Sequence, residues 1–139
     1  MAPARPGPFL LICCTRQIIS SGETFAGLDM PYISITGLTL RSRRHVFRFW
    51  WHAIGSLTQA KRAPGNRSAD ARTIAGVHHT LSVWDDEQAM RAYLNSGAHL
   101  RALRAFRQIA TGKTIGFVAD AAPSWDEVHD IWASRGREA

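Results

Sequence analysis

Cysteine is scarce in this 139-residue chain. There are two, adjacent at Cys13 and Cys14, which excludes a disulfide framework and any multi-cysteine zinc site. No apolar run reaches the roughly 18 residues that a membrane-spanning helix needs. The six histidines, His45, His52, His78, His79, His99 and His129, contain no His-x3-His or HExxH spacing, so a zinc centre is not expected. Acid is almost missing from one stretch: residues 41 to 72 carry eight Lys or Arg against one Asp, a net +7. Residues 120 to 139 reverse this with two against five, a net −3, and the whole chain is +6. What is present is ordinary for a globular chain, 45% hydrophobic and 20% charged, and the length suits one domain in a reducing, cytoplasmic setting.

Residues 1–29 differ from the rest. The opening is Pro-rich, and Phe9 to Cys14 is a short apolar run that Arg16 and Gln17 interrupt. It has neither the apolar length nor the small-residue site of a secretory signal. The stretch is read as a disordered leader or an upstream misreading of the frame, with the domain spanning residues 30–139. From Met30 the pattern is periodic. Tyr32 to Leu40 alternates as a strand. Val46, Phe49, Trp50, Ala53, Ile54 and Leu57 recur at helical spacing, and Pro64 and Gly65 end that helix. Residues 70–77 suggest a short strand and His78 to Trp84 a firmer one. Asp85 with Gln88 marks the cap of a second helix, broken at Ser96 and Gly97 and resumed to Phe106. Thr114 to Ala119 is a strand, and Ser124 to Arg135 a closing helix with a Ser124–Glu127 capping box. The order is α+β: a ferredoxin-like βαββαβ with an extra C-terminal helix. Tyr32, Thr36, His78, Thr80, Ser82 and Trp84 are read as the sheet face turned away from the helices. That face is half polar, which suits a dimer interface or a lined cavity.

The block Ser82 to Leu103 resembles the strand–helix signature of the antibiotic biosynthesis monooxygenase-type domains, through Trp84, Asp85, Asp86, Tyr93, Ser96 and His99. More narrowly, Arg44, Phe49 and Trp50, the Pro64-Gly65 turn and HTLSVWDDEQAMRAYL resemble spheroidene monooxygenase-like proteins. The resemblance implies a homodimeric α+β barrel and an oxygenase-like activity on an apolar small molecule. It leaves two routes open, haem or a substrate that activates oxygen itself. Haem-degrading relatives are disfavoured, because Thr36 and Leu103 stand where those carry an Asn and an iron-ligating His. The alternative is a non-enzymatic dimeric module that binds an apolar ligand.

Trp50, His52, Trp84 and His99 are the candidate pocket residues, with His99 the candidate haem ligand because it follows the helix break. No nucleophile–base pair or paired carboxylate can be assembled to name a catalytic residue. Ala110 to Thr114 imitates the end of a phosphate loop but lacks the upstream Gly, since Arg107 is there. The basic run from Arg41 to Arg48 matches no nucleic-acid motif and is read as a solvated face.

Overall fold

The computed structural model describes residues 30–139, so the reading of residues 1–29 as a leader lies outside the described residues. The chain runs β1 (Tyr32–Leu40), a 3-10 turn (Arg43–His45), α1 (Val46–Arg62), β2 (Asn66–Ile74), β3 (Val77–Trp84), α2 (Glu87–Leu94), α3 (Gly97–Ile109), β4 (Ala110–Val118), α4 (Trp125–Arg135) and β5 (Arg137–Glu138). The strands form one antiparallel sheet in the order β2-β3-β1-β4-β5. The ferredoxin-like α+β arrangement is therefore present, with α4 added.

Several local boundaries differ from the sequence reading. The strand expected at residues 70–77 starts at Asn66, and Ala75 and Gly76 form the hairpin turn, both at positive φ. Asp86, not Asp85, caps α2, and its side chain accepts from the Ala89 N–H at 2.7 Å. Asp85 instead pairs with Arg67 at 2.7 Å. β4 begins at Ala110, four residues earlier than expected, so the phosphate-loop imitation lies in a strand. The Ser124–Glu127 box forms: the Glu127 carboxylate accepts from the Ser124 N–H at 2.9 Å and its hydroxyl at 2.8 Å.

The two sheet faces are the reverse of the expectation. Tyr32 and Trp84 pack beneath α1 and α2 with Ala60, Met90 and Tyr93, and His78 lies against Phe49 of α1. The half-polar face is thus the one the helices cover, and Trp84 is fully buried. The opposite face carries Ile33, Ile35, Leu81, Ile115 and Phe117, and α4 packs on it through Trp125, Val128, Ile131 and Trp132. An open face carrying Trp84 was the reason for expecting a partner sheet, and that reason is removed.

Helix α1 is also rotated from its expected orientation. Trp50 and Ile54 are exposed, while Phe49, Ser56 and Ala60 are buried. Small side chains on the inner side let α1 lie close to β2 and α3, and the bulky ones are displaced outward.

Candidate functional site

The four candidate residues fall into two aromatic groups, both between α1–α3 and the sheet. In the first, Phe49 is buried with its ring 4.8 Å from His78 and 5.2 Å from Phe106. Trp50 meets His78 edge-on at 5.3 Å, and half-buried His52 meets Phe106 at 6.3 Å. In the second, Trp84 stacks on Tyr93 at 5.1 Å, and Tyr93 lies 4.5 Å from the His99 ring.

The second group is tied by hydrogen bonds. Trp84 Nε1 donates to Ser82 Oγ at 2.9 Å. The Tyr93 hydroxyl is 2.9 Å from Ser56 Oγ and donates to the Ser56 carbonyl at 3.1 Å. Burial pushes the Tyr93 phenol up to about 12, against the opposing effect of Ser56, so it is protonated at neutral pH. Burial lowers the His99 pKa, while its bond to the Leu94 carbonyl opposes that shift. The carbonyl can only accept, so His99 Nδ1 carries the proton it shares with Leu94 at 3.2 Å, leaving Nε2 with a lone pair. Gln59 braces the turn between α2 and α3. Its Oε1 accepts from the His99 N–H at 2.8 Å, and its Nε2 donates to the Ser96 carbonyl and hydroxyl.

Two grooves run beside α1. One, of about 900 Å³, lies between α1 and α2 and is lined by Gly55, Gln59, Arg62, Asp86, Ala89 and Tyr93 among others. The second, of about 420 Å³, lies between α1 and α3 and is lined by Trp51, His52, Ile54, Gly55, Ala98 and Arg101. They share Gly55. Of the four candidates only His52 faces a groove; Trp50, Trp84 and His99 line neither. Trp84 and His99 instead stand behind Tyr93, which does line one. Tyr93 and Gln59 were not among the site candidates. Tyr93 carried a signal, its place in the helix motif, whereas Gln59 carried none.

On the α4 side the side chains are differently arranged. His79 is 1% exposed, with Nε2 3.0 Å from His129 Nδ1 and its ring 5.0 Å from Trp132. Its Nδ1 is sealed without a hydrogen-bond partner. Burial, then the neighbouring His129, lowers the His79 pKa. His78 and His79 point to opposite faces, as adjacent strand residues must. Among the described residues no three His, Cys, Asp or Glu side chains converge as a metal site, and no helix is long and apolar enough to cross a membrane.

Comparison with solved structures matches this architecture to SnoaB, a cofactor-independent oxygenase from Streptomyces nogalater. The TM-score is 0.56 at 18% identity, covering 65% of this chain and 93% of that one. An antibiotic biosynthesis monooxygenase candidate from Deinococcus radiodurans matches with a TM-score of 0.58 at 17% identity, covering 67% and 96%. The domain has the antibiotic biosynthesis monooxygenase-type fold. In sequence, the chain is similar to spheroidene monooxygenase from Rubrivivax gelatinosus, 40% identical over 85 residues. That match covers 59% of this chain and 32% of the relative, so the chain spans about a third of its length. No protein-family model matches the sequence. This monooxygenase-like fold holds the two aromatic groups and both grooves on its three-helix side.

Proposed function

We propose that this chain is an oxygenase-like protein that seats an apolar small molecule in the grooves beside α1, which share Gly55. The observation that carries the reading is the 40% identity with spheroidene monooxygenase. The grooves supply the wall: Ile54, Gly55, Ala89 and Ala98 offer apolar surface, and His52, Tyr93 and Gln59 offer few, fixed polar groups. Trp84 and His99 act by holding the Tyr93 ring in place from behind. The same reading includes a homodimer and a cytoplasmic location.

Monooxygenation puts one atom of dioxygen into the substrate and reduces the other to water, so two electrons must come from a reductant or from the substrate itself. The donor set of the smaller groove fits haem. His52 supplies an imidazole, Trp51, Ile54 and Ala98 an apolar wall, and Arg101 a guanidinium for a propionate. Bound there, haem would supply oxygen activation. The chain's own residues would orient the substrate and keep water from it. His99 fits that role less well, because its ring lies under Tyr93 and faces neither groove. A cofactor-free reaction, as the name of SnoaB states for that protein, would use the same wall.

Haem titration of the purified full chain separates the two routes. A Soret band that His52→Ala abolishes and His99→Ala retains supports haem at His52. No band, together with oxygen uptake on adding an electron-rich polyene, supports the cofactor-free route. The second reading is a non-enzymatic binding module. It is favoured by the internal bonding of Tyr93 to Ser56 and of His99 to Leu94, which commits those polar atoms to the fold. Ligand binding without oxygen uptake, with or without haem, would establish it.

A further inference from the structure

The outer side of α1 is the most unusual surface of the molecule. Phe47 is 89% exposed, Trp51 81% and Ile54 61%, and the spacings of four and three place them in one stripe. The inner side of the same helix buries Phe49, Ser56 and Ala60. Two of those three are small, so much of the helix's apolar bulk stands in water. Around the stripe lie Arg43, Arg44 and Arg48, and Arg101 lines the groove with Trp51 and Ile54. Arg48 reaches Gln108 at 3.3 Å. Arg43, Arg44 and Arg101 have no ion-pair partner among the described residues. Residues 41–69 contain no acid at all.

We infer that this face of α1 docks the protein on an anionic lipid surface. Exposed aromatic and aliphatic side chains in one plane, rimmed by arginines, match an interfacial helix whose rings enter the headgroup boundary while the cations meet phosphates. The charge argues against a second copy as occupant, because a two-fold contact through this helix would join two stretches without acid and give Arg43, Arg44 and Arg48 no carboxylate to meet. Geometry argues against nucleic acid. The stripe lies along the outward side of a helix and includes Ile54, whereas base stacking uses aromatic platforms along a basic groove. Trp51 and Ile54 also line the groove that holds His52, so the docked face and the groove are continuous. The inference stands apart from the proposed activity, because membrane partition is measured without substrate.

The test is sedimentation of the full chain with vesicles of phosphatidylcholine alone or with a quarter phosphatidylglycerol, at low and high salt. Binding to the mixed vesicles that salt weakens is expected. Arg43→Gln and Arg44→Gln should each weaken partition about fivefold, the equivalent of about 1 kcal/mol per basic residue. The combined Phe47→Ser, Trp51→Ser and Ile54→Ser variant should lose more than about tenfold. Its melting temperature should hold, since all three side chains stand in solvent. Equal partition of this variant and the parent, or failure of the parent to bind the mixed vesicles, overturns the inference. So does binding of a single-stranded oligonucleotide lost in the same variant, which assigns the face to nucleic acid. A concentration-dependent dimer lost in that variant assigns it to a second copy and overturns it as well.

Discussion

The two faces of one sheet are built by different rules. Beneath α1–α3 the sheet presents Tyr32, Ser34, Thr36, Thr80, Ser82 and Trp84, where the Trp84 indole donates to Ser82 and the Thr36 hydroxyl meets that of Thr114. Two grooves open beside this layer. Beneath α4 the sheet presents Ile33, Ile35, Leu81, Ile115 and Phe117, and one helix closes them off. Polar groups there include the His79–His129 pair, joined by a hydrogen bond and leaving His79 Nδ1 sealed, while Arg72 and Lys113 lie over the rings of Trp125 and Trp132. A polar face covered by three helices can hold a ligand site, because hydroxyl and aromatic groups can be placed beside open space. An aliphatic face covered by one helix is suited to closing the core.

The largest effect expected from breaking this contrast is at Trp84. Its ring is fully buried among Ala60, Met90 and Tyr93, so Trp84→Ala should cost ~3–5 kcal/mol by cavity formation. Urea unfolding checks this; a loss below about 1 kcal/mol would mean that the helices do not depend on the indole. On the other face, His129→Ala removes the hydrogen-bond partner of His79 Nε2 and leaves that nitrogen of a buried imidazole unsatisfied. A loss of ~1–3 kcal/mol is expected. Groove-dependent ligand binding should be unaffected, which calorimetry or fluorescence titration measures.

Acidification acts on both faces at once. His79, His99 and His78 all have pKa values below the ordinary 6.5, chiefly through burial. The unfolded chain therefore takes up protons before the folded one as pH falls below that value. Stability contributed by these groups is full above 6.5 and is lost as pH drops through their lowered folded values. Urea midpoints at about pH 7.5 and about pH 5.5 should fall in that order. If His78→Gln and His99→Gln together remove most of the drop, the three-helix side carries it; if they remove little, His79 on the α4 side does. Tyr93→Phe is the smallest change. It deletes the hydroxyl bonded to Ser56 and keeps the ring between Trp84 and His99, so a stability loss of about 1 kcal/mol is expected in urea unfolding.

Much of the fold was legible because periodicity reports burial directly. β1 is bounded at Tyr32 and Leu40 as read, and the closing helix runs from its Ser124 cap to Arg135 as read. The orientation of the sheet was not legible. Tyr32, Thr36, His78, Thr80, Ser82 and Trp84 share a face as expected, but alternation tells only that two faces differ and not which layer covers each. Helix α1 failed for a related reason. Ranking Trp50 and Ile54 above Ser56 and Ala60 assumes that bulk goes inward, whereas close helix packing favours small residues there. Within the candidate site, His52 lines the smaller groove. Trp84 and His99 belong to the same layer as Tyr93 but at one remove from the groove. Gln59 was invisible, because a side chain bracing a distant turn leaves no mark in local pattern.

Gly55 offers the most direct test of the claim that the ligand lies on the three-helix side. It is the residue common to both grooves, and it sits in the interior of α1. A Cβ there lies 3.8 Å from Ala98 Cβ, an ordinary contact, so position 55 accepts a side chain beside both grooves. Gly55→Leu should also favour the helix, by up to about 1 kcal/mol. The account predicts that binding of an apolar polyene to the full chain, followed by fluorescence quenching, is abolished in Gly55→Leu while the melting temperature holds or rises. Undiminished polyene binding by a folded Gly55→Leu protein would contradict it.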